Sequence, residues 1–353
     1  KQNKQTNKKK KKNEPAIDLF TTYMQKHKNT GRIYLMNVDH ANDHGSFIKK
    51  VAPIKQSNLC CEINLPTKPL NDINDEDGEI ALCTLSAVNW GAFKSPEDME
   101  KACRMAVYGL DALLSYQDYP VKAARNSTKK RRPLGVGIIN LAYWLAKHDL
   151  SYSNSASLKE VDRWAQHWSY YLIQASVELA ERDGACSGSN ETKYHSGILP
   201  VDTYKPEVDN LLPHKDVVDW ESLRQRLRKT GIRNSTLMAL MPAETSAQIA
   251  NATNGIEPPR SFVSIKQSKD GVLKQVVPEY RRLKNKYELL WDHSSPEGYM
   301  NICAILQKYI DQGISVNTSY NPVNYEDEKI PTSVMLKHII DFYKYGGKQL
   351  YYF

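Results

Sequence analysis

Short apolar runs that give way to helix-period stretches constrain this chain more than any other feature. The segment STLMALMPAETSAQIANATNG (235–255) shows the pattern most sharply, running from strand through a tight, proline-bearing turn into a helix. GRIYLMNV (31–38), LCCEINL (59–65) and EIALCTLSAV (79–88) also read as strands, the last two divided by an Asn/Asp/Gly-rich turn over 71–78. Ser95-Pro96-Glu97 opens a helix with a cap, a proline at the first helical position and an acid in the first turn. Behind it Met99, Ala102, Cys103, Ala106, Val107, Leu110 and Leu114 keep helical spacing. Further helices are expected over 15–27, 133–148, 158–182, 220–229, 300–312 and 332–345, with a last strand over 348–353. Strands separated by helices imply an α/β fold whose largely parallel sheet is covered by helices. No linker divides the body, so a single large domain is expected over 14–353.

Composition removes several classes of function. No run approaches the roughly 18 apolar residues a membrane span needs, and no secretory leader is visible, so a cytoplasmic protein without a membrane partner is expected. Six cysteines in 353 residues do not make a disulfide framework. The net charge of +8 misleads: residues 1–12 hold seven lysines and no acid, which leaves 41 basic residues against 40 acidic ones. Residues 1–13 read as a disordered lysine-rich tail, and the near-neutral body does not suit nucleic acid as a partner.

The residues with chemical promise stand in three places. In extended backbone, Asn58, Cys60 and Glu62 share one face while Cys61 points away. A thiol between an amide and a carboxylate has too few soft ligands for a metal, and the carboxylate disfavours a thiolate. Such a thiol suits redox or hydrogen-atom chemistry with the carboxylate handling a proton; a buried packing cysteine is the plain alternative. Cys83 lies in the next strand-like run, whereas Cys103, Cys186 and Cys303 read as structural. MPAETSAQ (241–248) closes a strand and opens a helix, either as an anion site or as an ordinary cap. Tyr351 and Tyr352 pack in a strand by default, although tyrosine also supports one-electron oxidation.

Taken in order, NTGRIYLMNVDH, QSNLCCEINLPTKPLND, GEIALCTLSA, RNSTLMALMPAETSAQIANATNGIEPPR, SIKQSKDG and the terminal LYY resemble the C-terminal half of the large, catalytic subunit of class I ribonucleotide reductase. The resemblance runs from about residue 16 to 352. It implies the C-terminal part of a ten-stranded α/β barrel with a central finger loop carrying Cys60. It further implies that the Cys60 thiyl radical abstracts the ribose 3′ hydrogen and that Glu62 takes the 3′-hydroxyl proton. Asn58 would hydrogen-bond the substrate as its 2′-hydroxyl leaves as water. Cys83 would be one of two thiols that supply electrons and end as a disulfide. Tyr351 and Tyr352 correspond to the radical relay, Arg32 to a neighbour of it, and Pro242, Ala243, Glu244, Thr245 and Ser246 to the turn that holds the substrate diphosphate.

The implied partners are a ribonucleoside diphosphate, a small subunit whose metal and radical cofactor the reaction depends on, and thioredoxin or glutaredoxin as reductant. No cofactor or metal is expected on this chain itself. Three departures stand out. A second cysteine, Cys61, follows the radical cysteine, and Ala243 replaces a serine often found in the turn, which leaves its backbone N–H. Nothing here matches the second redox thiol, which the family carries in its N-terminal half together with most of the first half-barrel and the allosteric, ATP-binding sites. The tail cysteine pair that re-reduces the site is not matched either. A second polypeptide bearing the N-terminal half is therefore expected to complete the enzyme. The alternative is a non-catalytic remnant acting as a binding or regulatory module.

Overall fold

The computed structural model describes residues 15–268 and 271–352. The lysine-rich tail expected over 1–13 and the last residue of the expected final strand, Phe353, lie outside the described residues. In chain order come α1 (Ala16–Thr30), β1 (Leu35–Met36), α2 (Val38–Asp43), β2 (Leu85–Asn89), α3 (Glu100–Tyr116) and α4 (Lys122–Arg131). The middle holds β3 (Gly135–Ile139), α5 (Leu141–Lys147), α6 (Ala156–Asp183), α7 (Pro200–Thr203), α8 (Trp220–Thr230) and α9 (Glu244–Ile249). It closes with β4 (Val263–Ser268), β5 (Gly271–Val276), α10 (Tyr280–Leu283), α11 (Glu297–Gln307), α12 (Thr332–Lys344) and β6 (Gln349–Leu350).

The expected parallel sheet is present. β2 pairs with β3 in register from Leu85 opposite Gly135 to Asn89 opposite Ile139. Parallel bridges carry the sheet on, Val136 to Met238 and Leu240 to Ile314. Four parallel segments thus lie in the order 85–89, 135–139, 237–240 and 313–316, each reached through helices, as a βα alternation demands. The core is one large apolar cluster around α6, in which the Trp90, Trp144 and Trp164 rings pack at 5.1–5.6 Å.

Several expected elements come out differently. The single helix expected over 133–148 is a strand followed by a helix. Val136, Ile138 and Ile139 are β-branched and fully buried, and Asn140 adopts a left-handed φ of 72° that separates β3 from α5. Gly135 and Gly137 permit this crowding, since a Cβ on them would stand 2.7 Å from Leu85 and 2.8 Å from Met241. The strand expected over 31–38 shrinks to Leu35–Met36 because α2 begins at Val38. β1 pairs antiparallel with β6, off the parallel sheet. The run 79–88 becomes strand only at Leu85, the helix expected to reach residue 312 ends at Gln307, and the final strand is confined to Gln349–Leu350. The β4–β5 hairpin and α4 were not expected at all.

Candidate active site

The Cys60 segment is a turn, not the expected strand. The Cys61 N–H donates to the Asn58 carbonyl at 3.1 Å, and Cys61 itself takes a left-handed φ of 58°. Strand alternation therefore does not bring Asn58 and Glu62 together; the turn does. The Asn58 Oδ1 accepts the N–H groups of Glu62 and Ile63 at 3.0 and 3.1 Å, and its Nδ2 donates to Glu62 Oε1 at 2.8 Å. Cys61 still packs inward, as expected, and its burial together with the Glu62 charge pushes its thiol up to about 11.

Glu62 is 1 % exposed. Burial raises its carboxyl above the ordinary range, opposed by hydrogen bonds from Asn58, a backbone N–H and Ser315. The Ser315 hydroxyl donates to Glu62 Oε2 at 3.2 Å and also to the Cys60 carbonyl. The Gly313 N–H donates to the Glu62 carbonyl at 2.8 Å. The fourth parallel segment, 313–316, is thus the bed on which the Cys60 turn rests.

Cys83 arrives from the other side. Its approach is fixed at Glu79, whose carboxylate takes two bonds from buried Arg131 at 2.9 and 3.1 Å and whose backbone pairs with Lys68. The exposed Cys83 sulfur sits 3.5 Å from Asn58 Nδ2, so one amide joins Glu62 to Cys83. Partial desolvation and the Glu62 charge raise the Cys83 thiol, against the Asn58 bond. Cys103, Cys186 and Cys303 are buried elsewhere, as expected.

The two expected tyrosines meet this site. Tyr351 is buried, and its phenol lies beside Cys60 and Tyr352. Burial first and these two neighbours second push its ionisation upward. The Tyr351 and Tyr352 rings lie 4.2 Å apart. Tyr34, which the sequence reading did not single out, completes the stack at 4.6 Å from Tyr351 and 5.4 Å from Tyr352. Burial and the neighbouring Tyr352 phenol raise its phenol to about 12. Only the pairing of Leu35 with Leu350 places Tyr34 beside Tyr351, and no local signal gives that pairing. The neighbouring Tyr34 and Tyr351 phenols, and the charge of exposed Arg32, lower the Tyr352 phenol, so Arg32 lies within electrostatic reach of Tyr352.

Buried side chains hold β6 in place. Lys348 donates to the carbonyls of His44, Ile310 and Gln312 at 2.7–3.0 Å. Beyond them, the Tyr351 N–H donates to the Val316 carbonyl at 2.8 Å, the Tyr352 N–H to Asn317 Oδ1 at 3.0 Å, and the Thr318 N–H to the Tyr352 carbonyl at 3.0 Å.

The 242–246 turn leaves the carboxyl end of segment 237–240, next to the segment that carries the Cys60 turn. Pro242, Glu244, Thr245 and Ser246 are exposed. Ala243 differs from expectation: its side chain is buried, and its N–H donates to Asn254 Oδ1 at 2.9 Å, so that donor is already taken. The Asn254 Nδ2 in turn donates to Glu257 Oε2 at 3.3 Å, and the other Glu257 oxygen accepts from Asn317. Burial raises the Glu257 carboxyl. Cys60, the tyrosines and this turn cluster at the carboxyl ends of the parallel segments, where open α/β sheets bind ligands, while Cys83 reaches Asn58 from just before the start of β2.

Comparison with known sequences agrees with this geometry. The family profile described as "Ribonucleotide reductase, barrel domain" matches residues 1–353. The chain is 55% identical over 337 residues to the ribonucleoside-diphosphate reductase subunit alpha of Haemophilus influenzae, covering 96% of this chain and 45% of that one. It is 52% identical over 337 residues to the corresponding subunit 1 alpha of Escherichia coli, covering 96% and 44%. Against the subunit alpha of enterobacteria phage T4 it is 41% identical over 341 residues, again covering 96% and 44%. The chain spans less than half the length of these curated relatives. With the profile matched along the whole chain, this protein belongs to the ribonucleotide reductase family, as a C-terminal part of its large subunit within the barrel domain.

Proposed function

We propose that this chain carries the reducing site of a class I ribonucleotide reductase and converts ribonucleoside diphosphates to 2′-deoxyribonucleoside diphosphates by thiyl-radical chemistry. The observation that supports this best is the convergence of three groups on one turn. Asn58 bonds both Glu62 and Cys83, and the buried Tyr351 phenol is electrostatically coupled to Cys60. In this reading an oxidising equivalent, generated at the metal centre of a small subunit, arrives through Tyr352 and Tyr351 and leaves Cys60 as a thiyl radical. Cys60 abstracts the ribose 3′ hydrogen and Glu62 takes the 3′-hydroxyl proton, a role suited to a carboxylate whose affinity for protons burial has raised. Asn58 orients the sugar as the 2′-hydroxyl leaves as water. Cys83 and a second thiol supply two electrons and close into a disulfide, which thioredoxin or glutaredoxin reopens.

The described Cys61, Cys103, Cys186 and Cys303 are all buried, so the partner thiol for Cys83 is assigned to an N-terminal-half segment that also completes the ten-stranded barrel. The turn 242–246 is assigned to the substrate diphosphate, through the N–H groups and hydroxyls of Glu244, Thr245 and Ser246. The test is co-expression with an N-terminal-half polypeptide and a small subunit, followed by assay of ribonucleoside diphosphate reduction. Cys60→Ser is expected to abolish turnover; activity that survives it would sink the mechanism.

A further inference from the structure

We propose that Asn254, Glu257 and Asn317 form a polar strut that positions Tyr352; the inference rests on the relay role given above to Tyr351 and Tyr352. Four hydrogen bonds run in series. The Ala243 N–H donates to Asn254 Oδ1, Asn254 Nδ2 to one Glu257 oxygen, Asn317 Nδ2 to the other Glu257 oxygen, and the Tyr352 N–H to Asn317 Oδ1. Neither end of the strut is a regular strand pair. The Glu257 carboxylate joins its own segment, through Asn254, to Asn317 sixty residues on, and the two amides carry the chain to Ala243 and Tyr352.

The design is costly if its purpose is only to close a loop. A half-buried carboxylate gains from donors on both oxygens, and here two planar amides, one local and one sixty residues on, provide them. Each amide is then fixed at both of its ends, so neither is free to rotate. What Asn317 holds with its remaining oxygen is the backbone N–H of Tyr352, a residue that is 41% exposed, whose ring rests on Tyr351 and Tyr34 and whose carbonyl takes the Thr318 N–H. The neighbouring Tyr351 does not need the strut, being buried and bonded to the Val316 carbonyl. Asn317, Glu257 and Asn254 are therefore positioning residues: they act on the transfer through Tyr352 and touch neither sugar nor thiol.

The experiment uses the complete large subunit with its small subunit. Glu257→Gln keeps the side-chain volume but turns one acceptor into a donor, which breaks one of the two amide links. Turnover is expected to fall on the order of tenfold, because a displacement of about 1 Å at a reacting group is enough for such losses. In Asn317→Ala, which leaves the Ala243–Asn254 and Asn254–Glu257 bonds beside the diphosphate turn in place, KM for the nucleoside diphosphate should stay within about twofold while kcat falls. The backbone amide of Tyr352 should exchange with deuterium faster, a readout that general destabilisation would spread over the whole chain. Asn317→Ala, at a half-buried position, removes the acceptor directly and serves if Glu257→Gln does not fold. The double variant should be no worse than Asn317→Ala alone. Unchanged kcat and exchange in Glu257→Gln, or additive losses in the double variant, would overturn the strut while leaving the relay intact. Full activity in Tyr352→Phe would overturn the relay reading and the strut with it.

Discussion

Glu62 is the side chain whose charge reaches furthest across the site. It raises the thiols of Cys61 and Cys83, and its own carboxyl is raised by burial above its ordinary 4.5. Because the folded value lies above the unfolded one, its contribution to stability is fully present below pH 4.5 and is lost as pH rises through the folded value. Glu62→Gln removes a charge that disfavours the Cys83 thiolate. Alkylation of Cys83 by iodoacetamide at pH 8, followed by peptide mass spectrometry, is expected to quicken about two- to fivefold, the range for a partly screened charge pair. Unchanged or slower labelling would remove Glu62 from the account of Cys83. At this scale the sequence was legible in identity and wrong in geometry. Asn58, Cys60, Glu62 and Cys83 do meet, but Asn58 does the gathering through a left-handed turn at Cys61, and a left-handed cysteine has no sequence signature. Ala243 was misread for a related reason, since the acceptor that takes its N–H lies 11 residues away.

Among the elements, the long amphipathic helices α3, α6, α8 and α12 were legible from spacing and caps, with the Ser95–Asp98 capping box in place. The short strands were not. β3 was hidden by the apolar continuity of 133–148, and β1 and β6 are two-residue strands that exist through each other. The fit of β6 is tight enough to test. Gly313 faces Gln349, a side chain with no solvent exposure, and a Cβ on Gly313 would stand 2.0 Å from Gln349 Oε1. Gly313→Ala is expected to destabilise the chain by about 1–3 kcal/mol, as overpacking does, measured as a fall in the denaturant midpoint at constant slope. A midpoint at or above that of the parent would show that Gln349 moves aside freely.

For the molecule as a whole, the sheet has an edge. β2 has β3 as its sole strand neighbour among the described residues, and Leu85 at its start is 36% exposed. An edge of this kind is a template for another strand. If an N-terminal-half polypeptide completes a barrel, its addition should slow amide exchange in Leu85–Asn89 more than in the buried β3. Protection elsewhere, with β2 unchanged, would place the completing surface on another face. The α/β class was legible from alternation alone. Closure of the sheet was not, because what pairs with an edge is decided by contacts that no single segment encodes.

The pairing of β1 with β6 carries a consequence for the order of events during synthesis. Asn37 bonds the Gly347 carbonyl across 310 residues, and the aromatic stack needs Tyr34 from one side of that span and Tyr351 and Tyr352 from the other. Contacts so distant in sequence form late, after the local helices and the sheet that they rest on. A chain still growing toward residue 347 already contains Cys60, Glu62 and Cys83, but not the tyrosines that meet them. The thiols are made early and the aromatic stack beside them last.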